Sequence, residues 1–394
     1  MVPVNDDQEL NAPVEDMIEA PESPDTPVES PAMGDAPASD AVGADEARAS
    51  RSRKAKASGS DLMLTRAIQA VVVILVLFAA YFGYSYYQAQ QQARLSNPAL
   101  EVVDQVQKLV DKSPNNAALR VRLGEALAAA GDSNTAKAQL LAALKIDPKT
   151  VGAYQDLAEI ALTEKNTADA EIYLKKLLDV TADGQFQNIN DRREFAFFNL
   201  GEITLAQKRW TEAIGYFNAA IKIRKDASDT YLRLAQALNG SGDAAGALEQ
   251  ANIALQFDPK FPEAHYFRGT LYMAQNDTVD AAWDFRAAID FAPDQQQPKD
   301  ALAALGTFDK WMAAAQSAYS DGELAVAGDD VSIARSIDPK SYEAAMLHGR
   351  ILDQQAKYSE AADAYTIALK IKPGDKVAAA ALKAAQANAK KDAK

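Results

Sequence analysis

A spacing of 34 residues recurs through the C-terminal two-thirds of this chain and limits its fold more than any other feature. Pro259 to Pro293 is one such interval and Pro339 to Pro373 another. Pro148 to Pro259 is 111 residues, three intervals plus nine, and Pro293 to Pro339 is 46, one interval plus twelve. This register gives seven units starting near Ala117, Val151, Glu194, Ser228, Pro262, Phe308 and Tyr342, with insertions at about 185–193 and 296–307. A period of this length describes a stack of one supersecondary unit, each copy burying its apolar face on its neighbours.

Three columns support the register. Position eight reads Gly124, Ala158, Gly201, Ala235, Gly269, Ala315 and Gly349. Position twenty is alanine throughout: Ala136, Ala170, Ala213, Ala247, Ala281, Ala327 and Ala361. Position twenty-seven is alanine in six units, from Ala143 to Ala368, and Leu177 in the other. Small residues at positions eight and twenty suit two antiparallel helices that cross closely, where a larger side chain would part the backbones. Between those positions lie Gly131-Asp132, Gly242-Asp243 and Asn276-Asp277, pairs that end one helix and cap the next.

This pattern resembles the tetratricopeptide repeat family over residues 117–375. The strongest units read Leu123-Gly124…Ala136…Leu140…Ala143…Pro148 and Leu200-Gly201…Ala213…Phe217…Ala220. Units two and three depart from it at the closing proline (Ala182 and Lys225), and unit six lacks a large residue at position seven (Ala314). Because unit six follows an insertion, a local irregularity of the stack is expected there. The resemblance implies an all-α fold, an α-solenoid in which helical hairpins stack into a right-handed superhelix with a concave inner face. Residues 91–116 supply a linker and a leading helix, with Leu100, Val103, Val106, Leu109 and Val110 on one face. Residues 376–394 form an Ala-rich capping helix with Val377, Ala381 and Ala385 at four-residue spacing and lysines at its end.

The resemblance also implies which side chains line the inner wall. Position five supplies Val121, Phe198, Leu232, Tyr266, Met312 and Met346, with Gln155 the polar exception. Position nine supplies Glu125, Glu159, Glu202, Gln236 and Gln316, and Phe195, Met273 and Tyr319 add further large groups. No unit pairs Lys at position five with Asn at position nine, the pair the family uses to grip chaperone C-terminal carboxylates. An apolar stripe beside glutamates suits an amphipathic peptide, and flexible methionines tolerate varied sequences. The alternative is that position five is core between adjacent units.

Composition matters most outside the repeats. Residues 1–50 hold thirteen acidic residues against Arg48 alone, with seven of the sixteen prolines. Such a stretch cannot bury enough apolar surface to offset its ordering entropy, so residues 1–60 read as a disordered acidic tail ending in a basic cluster. Residues 67–93 carry no charge, and 61–90 read as one transmembrane helix. Twenty residues from Ile68 span ~30 Å, the thickness of the hydrocarbon layer. Val71 to Phe78, which include Val73, Leu75 and Leu77, contribute roughly −2 to −5 kcal/mol to insertion. Tyr81, Tyr84, Tyr86 and Tyr87 cluster at the far end as an interfacial belt. On the near side stand Arg51, Arg53, Lys54, Lys56 and Arg66, against Arg94 alone in the twenty residues after Tyr87. Positive-inside then puts the tail in the cytoplasm and the repeats outside the cell membrane, in a periplasm where one exists.

The net charge of −14 argues against a nucleic-acid partner, which needs a basic face. The absence of cysteine rules out disulfides, thiolate metal sites and a Cys nucleophile. His265 and His348 lie in different repeats and read as packed or surface imidazoles, with no third ligand near either. Asp321-Gly322-Glu323 and Gly328-Asp329-Asp330 do not match a calcium loop and read as turn and helix-start residues. Trp210, Trp283 and Trp311 read as packing. These residues imply no catalysis, no cofactor and no small-molecule substrate.

The architecture is similar to bacterial envelope repeat proteins, including those that present apocytochrome during cytochrome c maturation and the ancillary subunit of the secretion translocon. The expected function is to hold polypeptide segments at the extracytoplasmic membrane face, as a chaperone or adaptor. The alternative is a structural scaffold for a membrane-bound secretion, pilus or division complex.

Overall fold

The computed structural model describes residues 59–96, 98–182 and 191–392, and every regular element among them is a helix. The acidic tail, including Arg51, Arg53, Lys54 and Lys56, and most of the first insertion lie outside the described residues. Helix α1 (Gly59–Ser96) is followed by α2 (Pro98–Lys112). Seven hairpins come next: α3/α4 (Ala117–Ala129, Ser133–Ile146), α5/α6 (Val151–Thr163, Thr167–Val180), α7/α8 (Asp191–Ala206, Trp210–Ile223), α9/α10 (Ser228–Ser241, Ala244–Phe257), α11/α12 (Pro262–Ala274, Thr278–Phe291), α14/α15 (Phe308–Asp321, Leu324–Ile337) and α16/α17 (Tyr342–Gln354, Tyr358–Ile371). A single helix, α13 (Gln296–Ala304), fills the second insertion, and α18 (Lys376–Asp392) ends the array.

Within α1, Arg66–Ala89 form 24 residues long and apolar enough to cross a membrane. Along it Ile68, Val71, Val73, Leu75, Leu77, Phe78 and Tyr81 are all more than half exposed, and Arg66 is exposed beside them. At 1.5 Å per residue the segment is ~36 Å long, enough for a hydrocarbon core of ~30 Å. The apolar part of α1 up to Ala79 belongs to one compact unit and the repeat array to another.

Each hairpin turns at the same place. Gly131, Lys165, Lys208, Gly242, Asn276, Gly322 and Ala356 all have positive φ, between 59° and 93°, and all stand at position fifteen of the 34-residue unit. The next residue caps the second helix. Asp132, Asn166, Asp243 and Asp277 accept the backbone N–H three residues on, at 3.1, 3.2, 2.9 and 3.1 Å. Arg209, Glu323 and Lys357 occupy the same place in the other units without a side-chain cap.

The close crossing at position eight has a partner at position twenty-four. The three aromatic residues in that column, Phe217, Phe285 and Tyr365, each lie against a glycine, Gly201, Gly269 and Gly349. A Cβ on Gly269 would stand 2.7 Å from Phe285 Cε1, and one on Gly201 or Gly349 would run into the ring opposite it. The rings are fully buried, so they cannot swing aside.

Along most of the array the second helix of one unit packs on the first helix of the next: α4 on α5, α6 on α7, α8 on α9, α10 on α11 and α15 on α16. Between units five and six this rule changes. Helix α13 takes the place against α12, and α12 packs directly on α15, second helix on second helix. Leu302 and Leu305 of the insertion join Phe285, Ile289 and Ile333 in one core. The irregularity expected at unit six is therefore an inserted helix with its own buried face.

At the ends, Val110 of α2 is buried against unit one, and Leu109 is exposed. In α18 the buried residues are Ala378 and Ala385, with Ala381 and Leu382 partly buried, and Val377 is exposed. The capping face thus runs through 378 rather than 377, because 378 and 385 are seven residues, about two turns, apart, whereas 377 lies roughly 80° round the helix from 385. Gly328-Asp329-Asp330 lie inside α15 rather than at its start, which is Leu324.

Candidate functional site

The first helices of the hairpins (α3, α5, α7, α9, α11, α14 and α16) carry the residues expected to line an inner wall. The structure divides them. Val121, Leu232, Met312 and Met346 are each 7% exposed or less and belong to the core. The reason is the joint between units. Val121 packs with Ala153 and Leu157, Leu232 with Ala264, Met312 with Ala344 and Leu347, and Met346 with Ala378 and Ala385. Each partner comes from the next element of the stack, so position five in these units is joint rather than wall.

The other expected residues keep surface. Glu125, Glu159, Gln316 and Met273 are exposed, and Phe195, Phe198, Glu202, Gln236, Tyr266 and Tyr319 are half-buried. Phe198 stands edge-on to Phe217 at 6.0 Å and Tyr266 is tilted on Phe285 at 5.9 Å, so both rings are held from beneath by the hairpin core. Tyr319 Oη accepts the Gln354 amide at 2.8 Å. What remains at the surface is a row of polar position-nine side chains flanked by anchored aromatic edges.

That row changes character along the array: Glu125, Glu159 and Glu202 in units one to three, then Gln236, Thr270 and Gln316, then Arg350 in unit seven. Between units one and two it opens into a cleft of about 330 Å³, lined by Glu125, Ala128, Ser133, Asp156, Glu159 and Thr163 among others. Asp156 was not expected there. Its Oδ2 is buried without a hydrogen-bond partner among the described residues. Burial pushes its carboxyl up to about 7, with Glu125 and then Glu159 adding to the rise and Arg192 opposing it. Glu202 Oε1 lies 3.1 Å from Arg233 Nε, an ion pair without hydrogen-bond alignment, and burial pushes that carboxyl up against the pull of Arg233. Gln155 donates to Glu159 at 2.9 Å. This end of the face is short of positive charge.

The histidines are structural neighbours of charge. His265 is buried, its Nδ1 2.8 Å from Asp284 Oδ1 and its Nε2 3.0 Å from the Pro259 carbonyl. Arg268 holds the same carboxylate through Nε at 2.7 Å and Nη2 at 2.8 Å. His348 Nδ1 meets the Arg335 guanidinium. Trp210 and Trp311 are partly buried as expected, and Trp311 donates to the Leu305 carbonyl at 3.0 Å. Trp283 departs from the expectation: it is 58% exposed, touching His265 only edge-on at 5.8 Å.

Among families of known proteins, the profile of the tetratricopeptide repeat matches residues 121–185, 192–229, 232–298 and 312–376. No curated protein sequence matches the chain. Solved structures similar to it include YrrB, a repeat protein with an unusual peptide-binding site, at 19% identity over 50% of this chain and 96% of that one (TM-score 0.44). MamA from Desulfovibrio magneticus RS-1, residues 41 to the end, is similar at 16% identity over 46% of this chain and 97% of its own (TM-score 0.41). The C-terminal part of a repeat protein from Cytophaga hutchinsonii is similar at 14% identity over 66% of this chain and 97% of its own (TM-score 0.43).

Proposed function

The chain belongs to the tetratricopeptide repeat family, whose stacked hairpins serve as scaffolds for protein–protein interaction, and on that premise we propose that it is a non-catalytic, membrane-tethered binder of polypeptide segments. Helix α1 tethers it as a single-pass protein of the cell membrane, with the N-terminal tail cytoplasmic and the repeats on the extracytoplasmic side. The support for tethering is the exposed apolar helix, and the support for its direction is the excess of Lys and Arg before it.

One observation carries the binding part: the first-helix face keeps a continuous row of position-nine side chains at the surface, acidic in units one to three. A polypeptide with Lys or Arg near one end satisfies Glu125, Asp156, Glu159 and Glu202 there. Its aliphatic or aromatic side chains then meet Phe195, Phe198, Tyr266, Met273 and Tyr319. With position five withdrawn into the joints, charge and aromatic edges select the ligand more than an apolar trough does.

Two experiments test this. Protease added to intact spheroplasts should digest the repeats and spare a reporter fused to the N-terminus; digestion only after lysis contradicts the topology. On a peptide array, the detergent-solubilised chain should retain peptides that combine Lys or Arg with aromatic or aliphatic residues. The Glu125→Gln/Glu159→Gln variant should weaken the basic ones by about tenfold. Retention of acidic peptides by the first-helix face, or no retention at all, contradicts the binding reading.

A further inference from the structure

Where α12 packs on α15, the two second helices and the middle of α16 enclose a second cleft, of about 420 Å³. Trp283 and Arg286 reach it from α12, Ser332, Arg335 and Ser336 from α15, and His348 from α16. In regular joints a first helix fills this position, so the cleft exists because the inserted α13 separates the hairpins. It lies away from the first-helix row described above.

The charges in it do not close. Arg286 is met by Asp290, at 2.7 Å. Arg335 is not: among the described residues its guanidinium contacts His348 Nδ1 and no carboxylate lies within ion-pair distance. Burial alone pulls Arg335 down from its ordinary value, with no acidic group opposing the shift. His348 does not supply the missing charge, since burial, then Arg335 and Lys357, hold its imidazole down to about 4 and therefore neutral. The serines are engaged too, Ser332 Oγ donating to the Gly328 carbonyl at 2.7 Å and Ser336 Oγ to that of Ser332 at 3.1 Å. A half-buried guanidinium without a counter-charge costs stability, and five donors in a rigid fork match an oxyanion. Beside it the exposed Trp283 ring offers a flat apolar surface, and a volume of this size holds one or two side chains. The carboxylate of Asp280 on the rim is the one acidic group in the lining.

We propose that this cleft is a carboxylate-binding site for an acidic peptide segment of a partner protein, the carboxylate pairing with Arg335 and an adjacent apolar or aromatic residue lying on Trp283. The site is independent of the first-helix face. It complements that face, since one takes basic and the other acidic sequence.

The test uses the full chain in detergent micelles and a fluorescein-labelled Glu-Phe-Glu-Glu peptide, read by anisotropy at low salt. Wild type should bind, Arg335→Met should weaken binding at least about tenfold and Trp283→Ala several-fold, while Asp280→Asn should strengthen it. Arg335→Met should also leave the melting temperature of the free protein unchanged or raised, because it removes an uncompensated charge. If that variant fails to fold, Trp283→Ala and Asp280→Asn, both at exposed positions, carry the test with opposite signs. No peptide binding by wild type, binding unchanged in all three variants, or protection by inorganic phosphate without peptide binding would each overturn the assignment.

Discussion

Two clefts of this array differ in the joint that makes them and in the charge they hold. The one between units one and two lies at a regular joint, is formed mainly by the first helices α3 and α5 with Ser133 at the start of α4, and gathers Glu125, Asp156 and Glu159. The one between units five and six lies where an inserted helix intervenes, is formed mainly by the second helices α12 and α15 with His348 of α16, and gathers Arg286, Arg335 and that neutral imidazole. Each contains a half-buried ionisable group left incomplete: among the described residues Asp156 Oδ2 has no hydrogen-bond partner, and Arg335 has no carboxylate beside it. The contrast teaches that one hairpin sequence can present either of its faces. The insertion decides which helices meet, and the meeting helices decide the sign of the charge.

The largest expected effect breaks the irregular joint outright. Phe285 fills the Gly269 crossing and also anchors Leu302, Leu305 and Ile333. Phe285→Ala should therefore destabilise by about 3–5 kcal/mol, measured by urea unfolding. Hydrogen exchange should show the loss in both α11/α12 and α13, whereas Phe217→Ala at a regular joint should loosen α7/α8 and its immediate neighbours only.

Next comes the regular crossing itself. Gly201→Ala places a methyl group against the fully buried Phe217 ring and should cost about 1–3 kcal/mol. The double variant with Phe217→Leu should recover part of that loss, because the smaller side chain leaves room. A loss without recovery would place the strain elsewhere.

The two clefts should then respond to pH with opposite signs. Asp156 holds its proton to about 7 in the folded chain against an ordinary 3.8, so stability falls as pH rises from about 4 through about 7. His348 resists its proton down to about 4 against an ordinary 6.5, so stability falls as pH drops from about 6.5 through about 4. Melting temperatures across pH 4–8 should show the first slope flattened by Asp156→Asn and the second by His348→Gln. A basic peptide on the first-helix face should also flatten the Asp156 slope.

Much of this was readable from the amino acids. The seven-fold register, set by prolines and alanines, reappears in seven positive-φ residues at position fifteen. The turns announced themselves where the residues were Gly-Asp or Asn-Asp. They were silent at Lys208-Arg209 and Ala356-Lys357, where the stack imposes a left-handed residue on a side chain that does not favour it. Position five could not be assigned, because whether Val121 or Met312 faces a ligand or the next hairpin depends on how far neighbouring units approach, a quantity no single unit encodes. Asp156, Trp283 and Arg335 were missed for a related reason. Each is unremarkable on its own helix, and only the joint makes it a half-buried acid, a bare indole or an unpaired cation. The smallest expected effect follows from the silent turns: Lys208→Gly should stabilise by about 0.5–1 kcal/mol, while the same exchange at exposed helical positions destabilises.

The central claim is that the first-helix face holds polypeptide, and photo-crosslinking in living cells tests it most directly. A benzoyl-phenylalanine at Phe198 or Met273 should yield crosslinked polypeptides, many if the chain is a chaperone or adaptor and one stoichiometric product if it is a scaffold. The same probe at Glu249, exposed on the second helix α10, should yield none. Products from Glu249 with none from Phe198 and Met273 would contradict the account.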